Sequence, residues 1–317
     1  MSGITVVMSV RNLEDTVQAA VQSVLDSPAV TEMLVLNNWS TDDTLSRLQE
    51  MDDPRLTVLS NVEGVEYPHT ISYLFRRATQ PYVALCDGDD FYTPERLERQ
   101  RDFLDGNPDY IAISGAFQSI SADGKPVSML AHTGEPRDIT DTLRSGETVS
   151  HICSLLIRKE ALEATGYFRD WFKIAFDIDL QFLLADVGRI WHDPTILAYR
   201  YRLHDASHTH TTPIARRQFF DRMAAEFARQ RRDTGADDLM RGTPPDPPEE
   251  TAVSEEVLSA DKHVAGQLHG QAWRSFGEGR RREALGMMLR AVRLRPYSLE
   301  LWSRLAIMLA KSAVPRR

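Results

Sequence analysis

From Ile4 to Phe117 the chain alternates short apolar runs with amphipathic stretches, and that alternation restricts it to βα units stacked on a mostly parallel sheet. Ile4 to Val10, Glu32 to Asn37, Leu56 to Leu59, Tyr82 to Cys86 and Tyr110 to Phe117 read as strands. After the first of these, Val17, Val21, Val24 and Leu25 recur on one face of a helix running from Leu13 to Leu25, with Glu14 and Asp15 where the helix dipole favours acids. Ser40 reads as the N-cap of the next helix, with Asp43 three residues on. Thr93-Pro94-Glu95 opens another with a cap and a first-turn proline.

Beyond Phe117 the alternation breaks. Ala122-Asp123-Gly124-Lys125 reads as a hairpin turn, His151 to Ile157 as a strand leading into a short helix that ends near Gly166, Asp177 to Val187 as a helix and Arg189 to Leu203 as extended chain. Val264 to Leu309 is helical in pattern, and Ala272, Ala284, Leu289, Ala291, Leu294, Pro296 and Leu305 resemble one TPR-like helical hairpin. The expected fold class is α/β, Rossmann-like, with a mostly parallel central sheet, a mixed second half and a small C-terminal all-α unit. Asp233 to Glu256 is acidic, proline-rich and poor in apolar residues, which is linker composition. The expected domains are therefore 1–232, a linker at 233–256, and 257–317.

Charge supports that division. The chain has 37 Lys and Arg against 46 Asp and Glu, a net charge of −9, so it lacks the basic footprint that nucleic-acid phosphates require. From Gly270 to Arg317 the local charge is +8, leaving −17 for the rest. Arg280, Arg281, Arg282, Arg290, Arg293 and Arg295 either solvate helix faces or hold the protein to anionic lipid or an acidic partner. No run reaches the roughly 18 apolar residues of a membrane span, and Met1 to Val10 has no basic leader. The expectation is a cytoplasmic protein with peripheral contact at the inner face of the membrane. Cys86 and Cys153 stand alone in the sequence and are expected as buried thiols.

Ligands of open α/β sheets bind at the carboxyl ends of the strands, and Asp87-Gly88-Asp89-Asp90 stands at such an end. Three carboxylates in four residues repel one another unless a cation sits among them, and a divalent ion there can neutralise a departing diphosphate. Ser9 to Asn12 and Asn37 to Ser40 fall at neighbouring strand ends.

Taken in order, TVVMSVRN, LVLNNWSTDDT, ALCDGDDFYTPERLERQ, GYF with AFDIDLQFLLADVGRI, and YRYRLHDASHTH resemble family 2 glycosyltransferases of the GT-A fold over Ile4 to His210. The resemblance implies an inverting, metal-dependent sugar transfer from a nucleotide-diphosphate sugar, UDP-linked by preference, to a glycan, lipid-linked or protein acceptor in polysaccharide synthesis. It puts Asp87 against the donor ribose, Asp89 on a Mn2+ or Mg2+ ion, Asp90 as a brace of the loop and His204 as a further metal ligand. Asp177 becomes the catalytic base, because an inverting displacement needs one carboxylate to take the acceptor proton; Asp179, two residues on, is structural. Ser9, Arg11, Asn12, Asn37 and Gly88 complete the donor site.

The chain also departs from the family pattern. Asn37 and Asn38 stand where acids are usual, although an amide oxygen still accepts a base imide proton. Ser9 and Arg11 replace a Pro and a Tyr, and Ile71-Ser72 replaces an Arg-Asn donor contact that His69, Arg76 or Arg77 would have to supply. Among Tyr167, Phe168, Trp171 and Phe172, Trp171 is the candidate acceptor platform. The departures favour the alternative of a catalytically degenerate nucleotide-sugar-binding or scaffold protein; retention of Asp87, Asp89, Asp177 and His204 opposes it.

Overall fold

The computed structural model describes residues 2–61, 63–204, 212–248 and 259–313. Its elements run β1 (Ile4–Val10), α1 (Val17–Leu25), β2 (Val30–Asn37), α2 (Thr44–Gln49), β3 (Leu56–Ser60), α3 (Tyr67–Arg77), β4 (Tyr82–Leu85), β5 (Phe91–Tyr92), α4 (Arg96–Gly106), β6 (Tyr110–Ser121), β7 (Pro126–Leu130) and β8 (Arg137–Asp138). They continue through α5 (Thr140–Arg144), a 3-10 turn (Ile152–Ser154), β9 (Leu156–Arg158), α6 (Lys159–Thr165), α7 (Phe176–Val187), β10 (Arg189–Leu203), α8 (Ile214–Thr234), α9 (Ala260–Gly277), α10 (Arg281–Leu294) and α11 (Leu299–Ala313).

β1 is the centre of the parallel half. It pairs in parallel with β2 and β4, and β3 extends the sheet beyond β2. Every residue of β1 is buried, which is why its sequence is an apolar run rather than an alternation. Each of Ile4, Val6, Val7 and Met8 is fully inside, a burial that stabilises by about 1.5 to 3 kcal/mol per side chain. The register sets Val10 opposite Asn37 and Asn37 opposite Ser60, so the carboxyl ends of β1, β2 and β3 share one edge, with the end of β4 beside them. The mixed half follows as expected from the broken alternation: β9 runs antiparallel to β4, β6 antiparallel to β9, and the order is β3-β2-β1-β4-β9-β6-β10-β5.

Local chemistry adjusts several boundaries. α1 begins at Val17, after a turn in which the Thr16 and Val17 amides donate to the Leu13 carbonyl. Ser40 does not cap α2: its hydroxyl accepts the Asn12 amide at 3.0 Å, and Asp42 accepts from the Thr44 amide at 3.0 Å instead. The turn Ser121 to Lys125 closes as expected, with Gly124 at φ +80°.

The described chain forms two compact units. The first comprises Met1–Phe117, Leu130–Tyr201 and Ala215–Ala252; the second comprises Gln118–Met129, Arg202–Ile214 and Val253–Arg317. In the first, α8 extends to Thr234, and Asp237 is fully buried, accepting from Arg169 at 2.7 Å and Arg231 at 2.6 Å. The opening residues of the linker-like stretch are thereby packed. In the second, α9 and α10 pack on each other through Ala272, Ala284 and Ala291, while Leu289 and Leu294 of the TPR-like pattern are exposed. The tip of the β6–β7 hairpin joins these helices: Ser119 donates to Gln267, and Arg290 donates to the Pro126 carbonyl at 2.9 Å. Among the described residues no helix is long and apolar enough to cross a membrane.

Candidate active site

The turn after β4 is held from several directions. Gly88 is required by space: a Cβ there would stand 2.5 Å from Val10 Cγ1 and 2.8 Å from Leu13 Cδ1, and its carbonyl accepts from Thr16 at 3.0 Å. Asp90 is fully buried and accepts from the Tyr199 hydroxyl at 2.5 Å, a contact that anchors the turn to β10. Tyr199 in turn lies 3.3 Å from the Asp87 amide, which donates to its oxygen.

Asp87 accepts from the Tyr67 hydroxyl and from the Cys153 thiol, the latter at 3.5 Å. Burial pushes its carboxyl above the ordinary range, and the charge of Asp89 pushes it further; Tyr67, His151 and Cys153 pull it back. Burial is the larger cause and the charge of Asp89 the smaller, and a hard divalent cation with oxygen ligands would relieve the repulsion between the two carboxylates. The carboxylate oxygens of Asp87 and Asp89 are of the donor type a divalent metal takes, while among the described residues no group of three or more His, Cys, Asp or Glu side chains comes together to hold one.

The neighbouring strand ends complete the rim. Ser9, at the end of β1, is buried, with its hydroxyl 2.9 Å from that of Thr70. Asn12 takes φ +54°, and its side chain accepts the Thr41 amide at 2.8 Å, so it braces the loop after β2. Arg11 lies over the exposed ring of Trp39, 5.2 Å from its centroid. Asn37 is buried, and its Oδ1 has no hydrogen-bond partner among the described residues. Asn38 is a staple, donating to the Val65 carbonyl at 2.6 Å and accepting the Val65 amide at 3.0 Å. None of the three candidate replacements for the missing donor contact stands without an intramolecular contact: Arg76 lies over Tyr167, Arg77 over Tyr73, and His69 pairs with Asp170 at 3.0 Å.

Asp177 occupies the first turn of α7, entered through Ala175 at φ +59°. Its charge is felt by His151 and by Asp221 of α8, whose carboxyl burial pushes up. Asp179 is buried in a two-pronged pair with Arg169, the structural place expected for it. Trp171 packs edge-on and tilted against Phe172, Phe219, Phe220 and Phe227, a setting that gives the indole a packing role. His204 follows the end of β10 and belongs to the second unit, whereas Asp87, Asp89 and Asp177 belong to the first. His208 and His210 lie outside the described residues.

Sequence reasoning missed Tyr67, Tyr199 and Cys153 as partners of the acidic turn. It also missed Arg96, fully inside the protein, which donates to the carbonyls of Cys153 at 2.6 Å, Leu155 at 3.0 Å and Ala198 at 3.1 Å. Arg96 thus ties the 3-10 turn and β10 to the helix that follows the acidic turn.

Comparison with known proteins bears on the family and the fold. The chain is 31% identical over 126 residues to the succinoglycan biosynthesis protein ExoU of Rhizobium meliloti, covering 38% of this chain and 37% of that one. It is 28% identical over 160 residues to the putative teichuronic acid biosynthesis glycosyltransferase TuaG of Bacillus subtilis, covering 50% and 62%. These alignments thus span about a third and under two thirds of the relatives' own lengths. The crystal structure of S. aureus TarS residues 1–349 in complex with UDP-GlcNAc superposes with a TM-score of 0.61 at 16% identity, covering 98% of this chain and 88% of that one, which shows a shared fold. The model of glycosyl transferase family 2 matches residues 5–166, and on that match the chain belongs to the family.

Proposed function

We propose that the chain transfers a sugar, with inversion, from a UDP-sugar to an acceptor hydroxyl during assembly of a polysaccharide or related glycoconjugate. The observation that carries this reading is the acidic turn at the carboxyl end of β4, where Asp87 is held by Tyr67 and Cys153 beside Asp89. The buried, unpartnered Oδ1 of Asn37 at the adjacent strand end supports a place for the base, since it accepts an imide N–H. ExoU and TuaG are named for polysaccharide synthesis, and TarS was crystallised with UDP-GlcNAc; both facts support the class of donor and product.

In this reading Asp87 orients the ribose and Asp89 would hold a divalent cation, with His204 a second candidate ligand. When bound, the cation supplies Lewis-acid stabilisation of the leaving diphosphate. Asp177 accepts the proton of the acceptor hydroxyl as that oxygen bonds to the anomeric carbon. The anomeric C–O bond to phosphate breaks, and its electron pair leaves with the UDP. Trp171 borders the acceptor side. We assign residues 1–232 to this chemistry, 233–256 to a connection and 257–317 to attachment at an anionic lipid surface. Exposed Tyr297, Leu299 and Trp302 beside Arg293 and Arg295 support that attachment.

The test is incubation with a panel of nucleotide sugars, Mn2+ and a simple glycoside acceptor, followed by NMR of the product anomer. Inverted product from a UDP-sugar, lost in Asp177→Asn while UDP still binds, is expected. Retained configuration, or full activity of Asp177→Asn, contradicts the reading.

A further inference from the structure

His151 stands between the two carboxylates to which the proposed reaction assigns opposite ends of the donor sugar. On one side, Cys153 reaches the Asp87 carboxylate at 3.5 Å. On the other, Ser150 donates to the Gln181 side-chain oxygen at 3.2 Å, and Gln181 donates to the Asp177 carbonyl at 3.2 Å. The segment carrying His151 is therefore tied to the acidic turn through one neighbour and to the first turn of α7 through the other.

The imidazole is fixed in position and in tautomer. It stacks on Tyr199 with centroids 5.4 Å apart and planes 16° from parallel, and it touches Tyr201 and Phe117 at 5.4 and 5.5 Å. Its Nδ1 accepts the Cys153 amide at 3.2 Å, as the cap of the 3-10 turn. A neutral ring whose Nδ1 accepts carries its proton on Nε2. Burial lowers the ring's pKa, although Asp177 and Asp87 pull it the other way, so the neutral form is the resident one at neutral pH. Among the described residues no protein acceptor takes the Nε2 proton.

We propose that His151 is a donor-sugar contact: its Nε2–H, oriented by the Cys153 amide and the Tyr199 ring, donates a hydrogen bond to a hydroxyl of the pyranose being transferred. This rests on the nucleotide-sugar reading above, since it needs the nucleotide on the Asp87 side and the attacking hydroxyl on the Asp177 side. The contact holds the anomeric carbon in line between them, and it discriminates among sugars by whether a hydroxyl meets that proton.

Two substitutions separate this role from the structural one. In His151→Asn the amide oxygen replaces Nδ1 and keeps the cap on the Cys153 amide, while the Nε2 donor is gone. In His151→Gln the amide nitrogen replaces Nε2 and the cap is lost. The probes are UDP alone and whichever of UDP-glucose, UDP-galactose and UDP-GlcNAc the wild type turns over fastest, with Mn2+ present throughout. His151→Asn is expected to bind UDP within about twofold of wild type and to lose on the order of tenfold in affinity for the UDP-sugar. His151→Gln is expected to keep the UDP-sugar affinity within about threefold while melting at lower temperature. Equal loss of UDP and UDP-sugar affinity in His151→Asn, unchanged affinity for both, or loss in His151→Gln as large as in His151→Asn overturns the assignment. Wild-type protein that binds no UDP overturns the nucleotide reading itself and this inference with it, so the two failures are told apart by the wild-type titration.

Discussion

The Tyr199 hydroxyl donates to the Asp90 carboxylate at 2.5 Å while its oxygen receives the Asp87 amide, so one phenol on β10 ties together the first and last acids of the turn after β4. Asp90 is fully buried, and a buried carboxylate stripped of a donor is left with an uncompensated desolvation cost. Tyr199→Phe is accordingly expected to destabilise the protein by about 2 kcal/mol in urea titration. The same change is expected to weaken Mn2+-dependent UDP binding several-fold, because the turn is no longer pinned. Unchanged stability and unchanged binding together would remove the phenol from this account.

Gly88 is tested by a rescue experiment. Gly88→Ala drives a methyl into Val10 and Leu13, an overpacking expected to cost roughly 1 to 3 kcal/mol and most of the UDP affinity. Gly88→Ala combined with Val10→Ala vacates the closest contact and is expected to recover part of both. A double variant no better than the single one would place the defect elsewhere.

His192 is buried with Ser114 Oγ 2.8 Å from Nδ1 and the Ala131 carbonyl 2.8 Å from Nε2, a pairing that suits the neutral ring. Burial depresses its pKa below the ordinary 6.5. Its contribution to stability is therefore complete above that value and is lost as the pH falls from there toward the depressed folded pKa. His192→Gln is expected to lower the urea midpoint more at about pH 7.5 than at about pH 5, since the wild-type contribution declines as the pH falls below 6.5. A difference independent of pH would contradict the neutral assignment.

The C-terminal surface is tested on vesicles. Tyr297, Leu299 and Trp302 are 97%, 85% and 49% exposed, and the neighbouring arginines are each worth at most about 1 kcal/mol at an anionic membrane. Replacing all three by serine is expected to reduce sedimentation with anionic vesicles and leave UDP binding unchanged. Equal sedimentation of variant and wild type, or equal sedimentation with zwitterionic vesicles, counts against lipid attachment.

β1 and β4 were legible because they are buried on both faces, which writes them as apolar runs. The acidic turn was legible because its residues are adjacent in sequence. Its partners were not: Cys153 and Tyr199 meet Asp87 across 66 and 112 residues, and no local pattern carries such a contact. Arg96 reads like any cation on a solvated helix, and only the fold aims three backbone carbonyls at it. Ser40 resembled a helix cap because its spacing to Asp43 is right; the Asn12 amide, folded in from β1, took its hydroxyl instead. The contacts of Trp171 with Phe219, Phe220 and Phe227 were not legible either, because α8 lies more than forty residues further along the chain.

The most direct test of the proposed chemistry is calorimetric titration of UDP into the wild type and into Asp89→Ala, each with and without Mn2+. Tighter UDP binding with Mn2+ in the wild type, abolished in Asp89→Ala, is the expected result. UDP binding that ignores both the metal and the substitution would contradict the account.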